Sequence, residues 1–245
     1  MFEKINNTQS KHIKKLHRKK NRQTFNEFIV EGTKTVLEFI QSKYKCKELY
    51  ATEDWLLANY KSLEHLKLFI VNSKQLSQIS TFKNPQPVLA IFEIREVNIE
   101  KDENLILFLE DIRDPGNLGT IIRSAEWFGL NKIYCSTNCA DNYNTKVIQA
   151  SMGSASRVDV VYIDFEHLVS IHKNHTPVLA DMNGVSVKKY LWKEKNILVI
   201  GNEANGVSQE LKDIVKNRIT IDRIGEAESL NASVSVAIIL ACYFL

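Results

Sequence analysis

The hydrophobic positions of this chain fall into short apolar runs separated by stretches with helical spacing. In the first part of the sequence, the apolar runs predict strands at residues 27–31, 48–51, 68–71 and 88–92. Helical spacing predicts the intervening helices at residues 33–42, 54–60 and 73–79. This alternation indicates a small α/β unit over residues 23–92.

A second alternation follows an acidic, polar stretch at residues 96–104, which we interpret as a linker. Its strands are almost continuously apolar, which is typical of a parallel sheet covered on both faces. They are predicted at residues 105–109, 132–135, 157–163, 178–181, 197–201 and 218–221. The sequence therefore predicts an α/β protein with two domains, residues 1–95 and 105–245.

Composition narrows the class of protein. Hydrophobic residues make up 44% and charged residues 25%, which excludes collagen-like, low-complexity and wholly disordered chains. No secretory signal pattern is present, and the most apolar stretch, residues 236–245, is too short to span a bilayer. We therefore expect a cytoplasmic protein without a membrane segment. We also expect no metal site, because the cysteines lack the usual zinc-ligand spacing. The cysteines are Cys46, Cys135, Cys139 and Cys242.

Positive charge is concentrated at the N-terminus. Residues 1–22 carry eight Lys and Arg against one acid, whereas the net charge of the whole chain is only +3. The spacing of Ile13 and Leu16 predicts a helix over residues 11–22 with an apolar stripe and a basic face. Such a face suits a phosphate backbone, although a solvated terminus has the same composition. The candidate phosphate-binding residues are Lys11, Lys14, Lys15, Arg18, Lys19, Lys20 and Arg22.

Ligands of parallel α/β sheets bind beyond the carboxyl ends of the strands, so the segments that follow strands are informative. The first runs Asp114-Pro-Gly-Asn-Leu-Gly119. Asp114 is predicted to cap a helix that ends at Gly129. Asn117 lies in its first turn, and Arg123 lies off its apolar face. A surface arginine on an ordinary amphipathic helix would explain Arg123 alone, but not the Gly/Asn-rich turn.

The second segment runs from Gly201 to Ser208 and has the glycine spacing of a phosphate-binding loop. Val207 stands where such a loop requires lysine, which argues against a nucleoside triphosphatase. The glycine fingerprint of dinucleotide-binding domains is also missing. A nucleotide-binding metabolic enzyme is therefore disfavoured.

The third segment leads into the apolar C-terminal stretch. Ser229 is predicted to cap a helix that is apolar on most sides, which must be buried within the domain or against a second subunit. Small residues would allow a backbone or a ligand to approach this helix closely. Core packing explains the apolar tail but not Asn231, which is polar.

In this order, the three segments resemble the three motifs of the SpoU/TrmH branch of the SPOUT RNA methyltransferases. Asp114 to Gly119 with Arg123 resembles motif one, Gly201-Asn-Glu203 with Gly206 resembles motif two, and residues 229–234 resemble motif three. The resemblance covers residues 105–245. Phe28-Ile-Val-Glu-Gly32, after the basic segment, also resembles the opening of the family's ribosomal-protein-like RNA-binding domain.

The resemblance implies a trefoil-knotted domain, a homodimer, and methylation of a ribose 2′-hydroxyl in ribosomal or transfer RNA, with ribosomal RNA favoured. The cofactor would be S-adenosylmethionine. One departure is visible, because the family commonly has Ile-Pro-Met where this chain has Ile221-Asp-Arg223. The implied cofactor-binding residues are Ala180, Ile200, Gly201, Ile221 and Leu230, and the implied catalytic residues are Asn117, Arg123, Glu203, Ser229 and Asn231.

Two questions stay open at the level of sequence. In the family, the residue that Arg123 matches is often assigned the role of general base. A guanidinium, however, is normally protonated and cannot accept a proton. We therefore favour phosphate binding and stabilisation of a developing alkoxide. The alternative function is a catalytically inactive RNA-binding assembly factor, against which the five polar site residues argue.

Overall fold

In a computed structural model, the chain forms two compact units. The structure describes residues 2–99, 103–202 and 206–245. Unit 1 comprises Met1–Glu96 and Tyr143–Arg157, and unit 2 comprises Val97–Asn142 and Val158–Leu245. The segment at residues 143–157, which the sequence-based division assigns to the C-terminal domain, thus groups with the N-terminal elements.

Unit 1 contains a mixed sheet of five strands in the order β1-β4-β3-β5-β2. Strand β5 runs antiparallel to β2 and β3, whereas β1, β4 and β3 are parallel to one another. The sequence predicts every strand except the first, which has only two residues, both polar. The strands are β1 (Glu3–Lys4), β2 (Glu27–Glu31), β3 (Cys46–Ala51), β4 (Leu68–Ile70) and β5 (Val88–Glu93).

Five helices accompany this sheet. Ile13 and Leu16 on the first helix are buried in one cluster with Tyr50, Phe69 and Ile91 of the strands. Phe28 lies in a separate group of aromatic rings with Phe39, Tyr44 and Phe92. The helices are α1 (Asn7–Leu16), α2 (Lys19–Phe25), α3 (Thr33–Ile40), α4 (Glu53–Leu63) and α5 (Ser73–Ile79).

The predicted helix over residues 11–22 is wrong in one respect, because the structure has two helices there. Arg18 is extended, with φ −98° and ψ 130°, and separates α1 from α2. Arg22 is 4% exposed, and its guanidinium donates to the carbonyl oxygens of Leu16 and His17 at 2.9 and 3.0 Å. These carbonyls have no partner within the helix, so Arg22 completes the end of α1. Arg22 is therefore not on the exposed basic face where the sequence placed it.

Unit 2 is built on a six-stranded parallel sheet in the order β11-β9-β10-β6-β7-β8. All residues of β6 and β10 are buried, as predicted for a sheet covered on both faces. The α/β class is thus confirmed, and the trefoil threading stays a prediction. The strands are β6 (Leu105–Leu109), β7 (Lys132–Cys135), β8 (Asp159–Tyr162), β9 (Thr176–Ser186), β10 (Asn196–Ile200) and β11 (Asn217–Thr220).

The later helices are α6 (Pro115–Trp127), α7 (Thr145–Ala150), α8 (Phe165–Ile171), α9 (Gln209–Ile214) and α10 (Ala232–Phe244), with α7 in unit 1. Helix α10 packs on α6, where the rings of Phe128 and Phe244 stack at 6.0 Å. Val236 and Leu240 of α10 are fully buried, whereas Val234 is 45% exposed. The prediction of a buried terminal helix therefore holds for one face of α10. None of the described helices is both long and apolar enough to cross a membrane.

Candidate active site

The sheet of unit 2 brings the three motif segments to one edge. Strands β6 and β10 are direct neighbours, with Leu109 opposite Ile200 at their carboxyl ends. Strand β9 lies beside β10 and β11 lies beside β9, all in parallel. Because parallel strands end at the same edge, the segments after β6, β10 and β11 lie along it. We call this the carboxyl edge.

The segment after β6 is shaped by its own side chains. Asp111 has a positive φ of 60°, and its N–H donates to Ser136 Oγ at 3.0 Å. Asp114 accepts from the N–H of Asn117 at 2.9 Å, with Pro115 as the first helical residue. The predicted cap of α6 is confirmed, and it fixes Asn117 in the first turn of the helix.

Two cysteine thiols, those of Cys135 and Cys139, lie next to this segment. Cys139 Sγ accepts from the N–H of Ile112 at 3.3 Å and lies 3.3 Å from Leu109 O. A hydrogen bond from Cys135, with further bonds from Ser136 and the backbone, lowers the pKa of Cys139 to about 7. Burial raises the pKa of Cys135 well above its usual value. Cys139 therefore supports the segment that leads into α6 and Asn117.

The segment after β10 turns back tightly on itself. Asn202 and Gly206 exchange backbone hydrogen bonds of 3.0 and 2.9 Å. A Cβ on Gly201 would lie 2.4 Å from backbone atoms of Gly206 and Val207, so only glycine fits there. Asn202 Nδ2 donates to Asp111 O at 2.9 Å, which links this turn to the first segment. Glu203, a predicted catalytic residue, lies outside the described residues.

A second link joins the same two segments. Glu110 accepts from the N–H of Ser208 at 2.8 Å and from Ser208 Oγ at 2.6 Å. Ser208 Oγ also accepts from the N–H of Leu211 and so caps α9. The sequence analysis missed Glu110, because an acidic residue directly after a strand looks like any solvent-exposed side chain.

Two of the predicted catalytic residues meet across the site. Asn231 Nδ2 donates to Asn117 Oδ1 at 2.9 Å, although the two residues are far apart in the chain. Asn231 Oδ1 accepts from the N–H and the hydroxyl of Ser233 at 2.9 and 2.6 Å. Asn231 is thus the N-cap of α10, and the prediction that Ser229 is the cap is wrong. Core packing could not explain the polar Asn231, but the structure does, because Asn231 caps α10 and bonds Asn117.

Ser229 and Arg123 are exposed at this edge of the protein. Arg123 lies six residues after Asn117, about 9 Å further along the axis of α6. It lies on the outer face of the helix with Thr120 and Trp127, the latter 84% exposed. Within the described part of the chain, no hydrogen bond joins Arg123 to the Asn117–Asn231 pair. The structure therefore presents an accessible guanidinium on the same helix as Asn117, about 9 Å further along its axis.

The residues implied in cofactor binding lie within β9, at the ends of β10 and β11, and just before α10. Ala180 begins a bulge, because Leu179 pairs with Arg218 and the next pair is Val185 with Ile219. Gly184 within this bulge has no room for a Cβ, which would lie 2.3 Å from the backbone of Ile219. Sequence reasoning missed Gly184, since no motif marks it.

The five residues implied in cofactor binding are small or apolar, and their exposure differs. Ile200 is buried at the end of β10, Ile221 is half-buried after β11, and Leu230 is 45% exposed. Ala180 is half-buried, and Gly201 directly follows Ile200. In the described ranges, no group of three or more His, Cys, Asp or Glu side chains could hold a metal ion.

Known proteins match this chain over almost its full length. The 23S rRNA (guanosine(2553)-2′-O)-methyltransferase RlmP of Bacillus subtilis (strain 168) is 28% identical and aligns with 98% of this chain and 97% of its own. A solved structure of a TrmH-family protein from Porphyromonas gingivalis superposes with a TM-score of 0.88, at 30% identity and 98% coverage of both chains. An AdoMet-bound rRNA methyltransferase from Sinorhizobium meliloti superposes with a TM-score of 0.86, at 27% identity over 98% of this chain and 95% of that one.

Two protein families match separate parts of the chain. Residues 7–90 match the MRM3-like substrate binding domain. Residues 104–241 match the SpoU rRNA Methylase family, over the range that contains all three motif segments. The chain therefore belongs to the SpoU rRNA methylase family.

Proposed function

We propose that this protein transfers the methyl group of S-adenosylmethionine to a ribose 2′-hydroxyl of ribosomal RNA. The observation that carries the proposal is the convergence of the three motif segments at the carboxyl edge, in a chain that aligns end to end with RlmP. Ribosomal RNA is preferred to transfer RNA because RlmP and the Sinorhizobium meliloti protein are both rRNA methyltransferases.

The cofactor-binding role belongs to residues within β9, at the ends of β10 and β11, and just before α10. S-adenosylmethionine supplies an activated methyl group on a positively charged sulfur. Small and apolar side chains at this edge suit its adenine ring, and backbone groups of the adjoining loops suit the ring's polar edge. Glycine at position 201 keeps the β10 turn closed, which holds these groups in place. The proposed residues are Ala180, Ile200, Gly201, Ile221 and Leu230.

The catalytic contribution of the chain is orientation and charge stabilisation. A ribose hydroxyl is a weak nucleophile until its proton is lost, so the site must favour negative charge on that oxygen. Arg123 supplies a planar cation that can bind a substrate phosphate and stabilise the developing alkoxide. A guanidinium remains protonated in proteins, which argues against its acting as a base.

The remaining polar residues are proposed to orient the reactants. The Asn117–Asn231 hydrogen bond fixes one amide against the other, so the pair can position the ribose with little reorganisation. Ser229 lies two residues before Asn231 and is proposed to contact cofactor or substrate. Glu203 keeps its proposed role in orienting Arg123 or the ribose.

Unit 1 is proposed to bind the RNA. Six of the seven basic residues named from the sequence are exposed on and between α1 and α2, which suits contact with phosphates. They are Lys11, Lys14, Lys15, Arg18, Lys19 and Lys20. The division of the chain at residues 96–104 into an RNA-binding and a methyltransferase domain belongs to the same proposal.

A homodimer completes the proposal. Apolar side chains remain exposed on α6 and α10, notably Trp127 at 84% and Phe244 at 43%, and a second copy would cover them. Sedimentation analysis should give about twice the mass of one chain. We also propose a cytoplasmic location, in keeping with an RNA substrate and the four free cysteines.

One experiment separates the enzyme from a non-catalytic assembly factor. Calorimetry should detect binding of S-adenosylmethionine to the purified protein, and labelled methyl should pass to unmodified ribosomal RNA. Cofactor binding without RNA-dependent transfer would instead support the assembly factor. Absence of both would contradict the proposed function.

A further inference from the structure

Unit 1 carries exposed cations outside its basic N-terminal helices, and the structure connects them to those helices. His17, at the end of α1, has its Nε2 atom 2.9 Å from the carbonyl oxygen of Ile79. Ile79 is the last residue of α5, and residues 80–87 connect α5 to β5. We call this connection the 80–87 loop. The basic end of α1 therefore lies against the start of the 80–87 loop.

A buried carboxylate holds this loop in place. Glu31, at the end of β2, is only 7% exposed. It accepts hydrogen bonds from Ser80 Oγ and from the N–H and hydroxyl of Thr81, the last two at 3.0 and 2.8 Å. Three donors on one buried carboxylate restrict the loop to a single arrangement. Lys83, two residues further on, is exposed.

The same loop contacts the segment at residues 143–157. Thr81 Oγ1 and Thr145 Oγ1 lie 3.2 Å apart, within hydrogen-bond distance, and Thr145 is the first residue of α7. Lys146 follows directly and is exposed. A lysine from the second half of the sequence therefore lies one residue from a direct contact with the 80–87 loop.

The segment that carries Lys146 is well anchored in unit 1. The ring of Tyr143 packs on Phe28 at 4.5 Å. At the other end, Arg157 pairs with Glu38 at 3.2 Å. The position of α7 relative to the 80–87 loop is thus set by contacts on both sides of Lys146.

These contacts connect three elements of unit 1 that carry exposed cations. The end of α1 contributes Lys14 and Lys15 with Arg18 beside them, the 80–87 loop contributes Lys83, and α7 contributes Lys146. Within the described residues, neither Lys83 nor Lys146 forms an ion pair. Glu31, the acid at this junction, is buried and engaged by Ser80 and Thr81.

We propose that Lys83 and Lys146 bind phosphates of the RNA substrate together with the basic end of α1. This inference rests on the proposed function and extends it, because it places part of the RNA-binding surface outside residues 7–90, the range that matches the substrate binding domain. Glu31 is a positioning residue for this surface, acting through the 80–87 loop.

The test compares two double variants of the full-length protein with equal loss of charge. Lys83→Gln with Lys146→Gln removes the proposed contacts, and Lys61→Gln with Lys216→Gln removes two other exposed lysines. Affinity for a transcript of large-subunit ribosomal RNA is measured over a series of salt concentrations. The plot of log affinity against log salt should become shallower by about 2 for the first variant, about 1 for each lysine. The second variant should keep the wild-type slope.

A third variant tests the role of Glu31. Glu31→Gln keeps both lysines but cannot accept all three hydrogen bonds, so KM for RNA should rise severalfold while kcat and cofactor affinity stay unchanged. Glu48→Gln is its control, since Glu48 bonds Tyr50 and Lys67 on the sheet. A purely structural role for Glu31 would lower the melting temperature without raising KM.

The inference is overturned if the Lys83/Lys146 variant keeps the wild-type slope, or if both double variants lose slope equally. Failure of the proposed function would look different. Wild-type protein would then bind the transcript without transferring methyl, and the comparison of slopes would still decide whether this surface contacts RNA.

Discussion

The two units of the protein use polar side chains in opposite ways. In unit 1 the lysines that face solvent are spread over separate elements, and buried polar groups such as Glu31 and Arg22 hold a loop and a helix end in place. In unit 2 the polar side chains at the carboxyl edge bond to one another, as Asn117 does to Asn231 and Glu110 to Ser208. Charge spread over a surface should tolerate single losses, whereas a fixed geometry should not.

The largest effect should come from Arg123, the proposed cation of the site. Arg123→Ala should reduce kcat by about 100-fold to 1,000-fold, as expected when a group that stabilises transition-state charge is removed. Affinity for S-adenosylmethionine should change by less than about twofold, since Arg123 lies on α6 and the proposed cofactor residues lie on other elements. Steady-state kinetics and calorimetry measure the two quantities.

Arg123→Lys is the matched variant for the same position. Lysine keeps the charge but lacks the planar fork, so kcat should stay well below wild type. Full turnover at neutral pH with lysine would rule out any role that needs the guanidinium plane.

The next effect should come from the tight turn after β10. Gly201→Ala places a methyl group 2.4 Å from the backbone of Gly206 and Val207, so the turn must open. Overpacking of this kind costs about 1–3 kcal/mol, and a cost of that size in the cofactor-bound state weakens cofactor binding by about 5-fold to 150-fold. Calorimetric titration with S-adenosylmethionine measures the loss. Gly225→Ala is the control, because a Cβ there meets no atom within 4 Å, and unchanged affinity for both variants would refute the argument.

A smaller effect separates the two roles of Asn231. Asn231→Asp keeps the oxygen that caps α10 but loses the donor to Asn117, so kcat should fall about 5-fold to 10-fold while the melting temperature is retained. Asn231→Ala loses both roles and should also lose about 1 kcal/mol of stability. Equal activity of the aspartate variant and wild type would mean that the amide pair is only structural.

The smallest effect should come from single lysines of unit 1. Lys14→Gln should make the salt dependence of RNA binding shallower by about 1 and leave thermal stability unchanged. Ile13→Ala, on the buried side of the same helix, should instead cost about 2–5 kcal/mol of stability. Thermal melts and RNA titrations on both variants distinguish charge from packing.

The contrast between Ile13 and Lys14 also shows why deleting residues 1–22 would be a poor test of RNA binding. Ile13 is fully buried and Leu16 is 1% exposed, so the deletion removes part of the core of unit 1 together with the charge. Loss of RNA binding after such a deletion could follow from unfolding alone. Charge neutralisation on the folded protein avoids this ambiguity.

Much of the fold could be predicted from the sequence because apolar periodicity is a local property. The strands of both sheets other than β1, and the Asp114 cap of α6, depend on neighbouring residues and were predicted. The break between α1 and α2 was not, because it depends on Arg22 folding back to the carbonyls of Leu16 and His17. Long-range side-chain contacts have no signature in a local pattern.

The site divides in the same way. Asn117, Arg123 and Asn231 were named from motifs, whereas Glu110 and Gly184 were missed because their partners, Ser208 and Ile219, are far away in the sequence. The grouping of residues 143–157 with unit 1 likewise depends on contacts such as Tyr143 with Phe28. Motifs identify reactive positions, and the contacts that support them become visible only in three dimensions.

The central claim is that the carboxyl edge of unit 2 methylates a ribose oxygen. The most direct test is to incubate unmodified ribosomal RNA with labelled S-adenosylmethionine and wild-type or Arg123→Ala protein, digest the RNA, and separate the nucleosides. We expect label only in 2′-O-methylated nucleosides with wild-type protein, and at least about 100-fold less with the variant. Label on a base, or equal labelling by both proteins, would contradict the account.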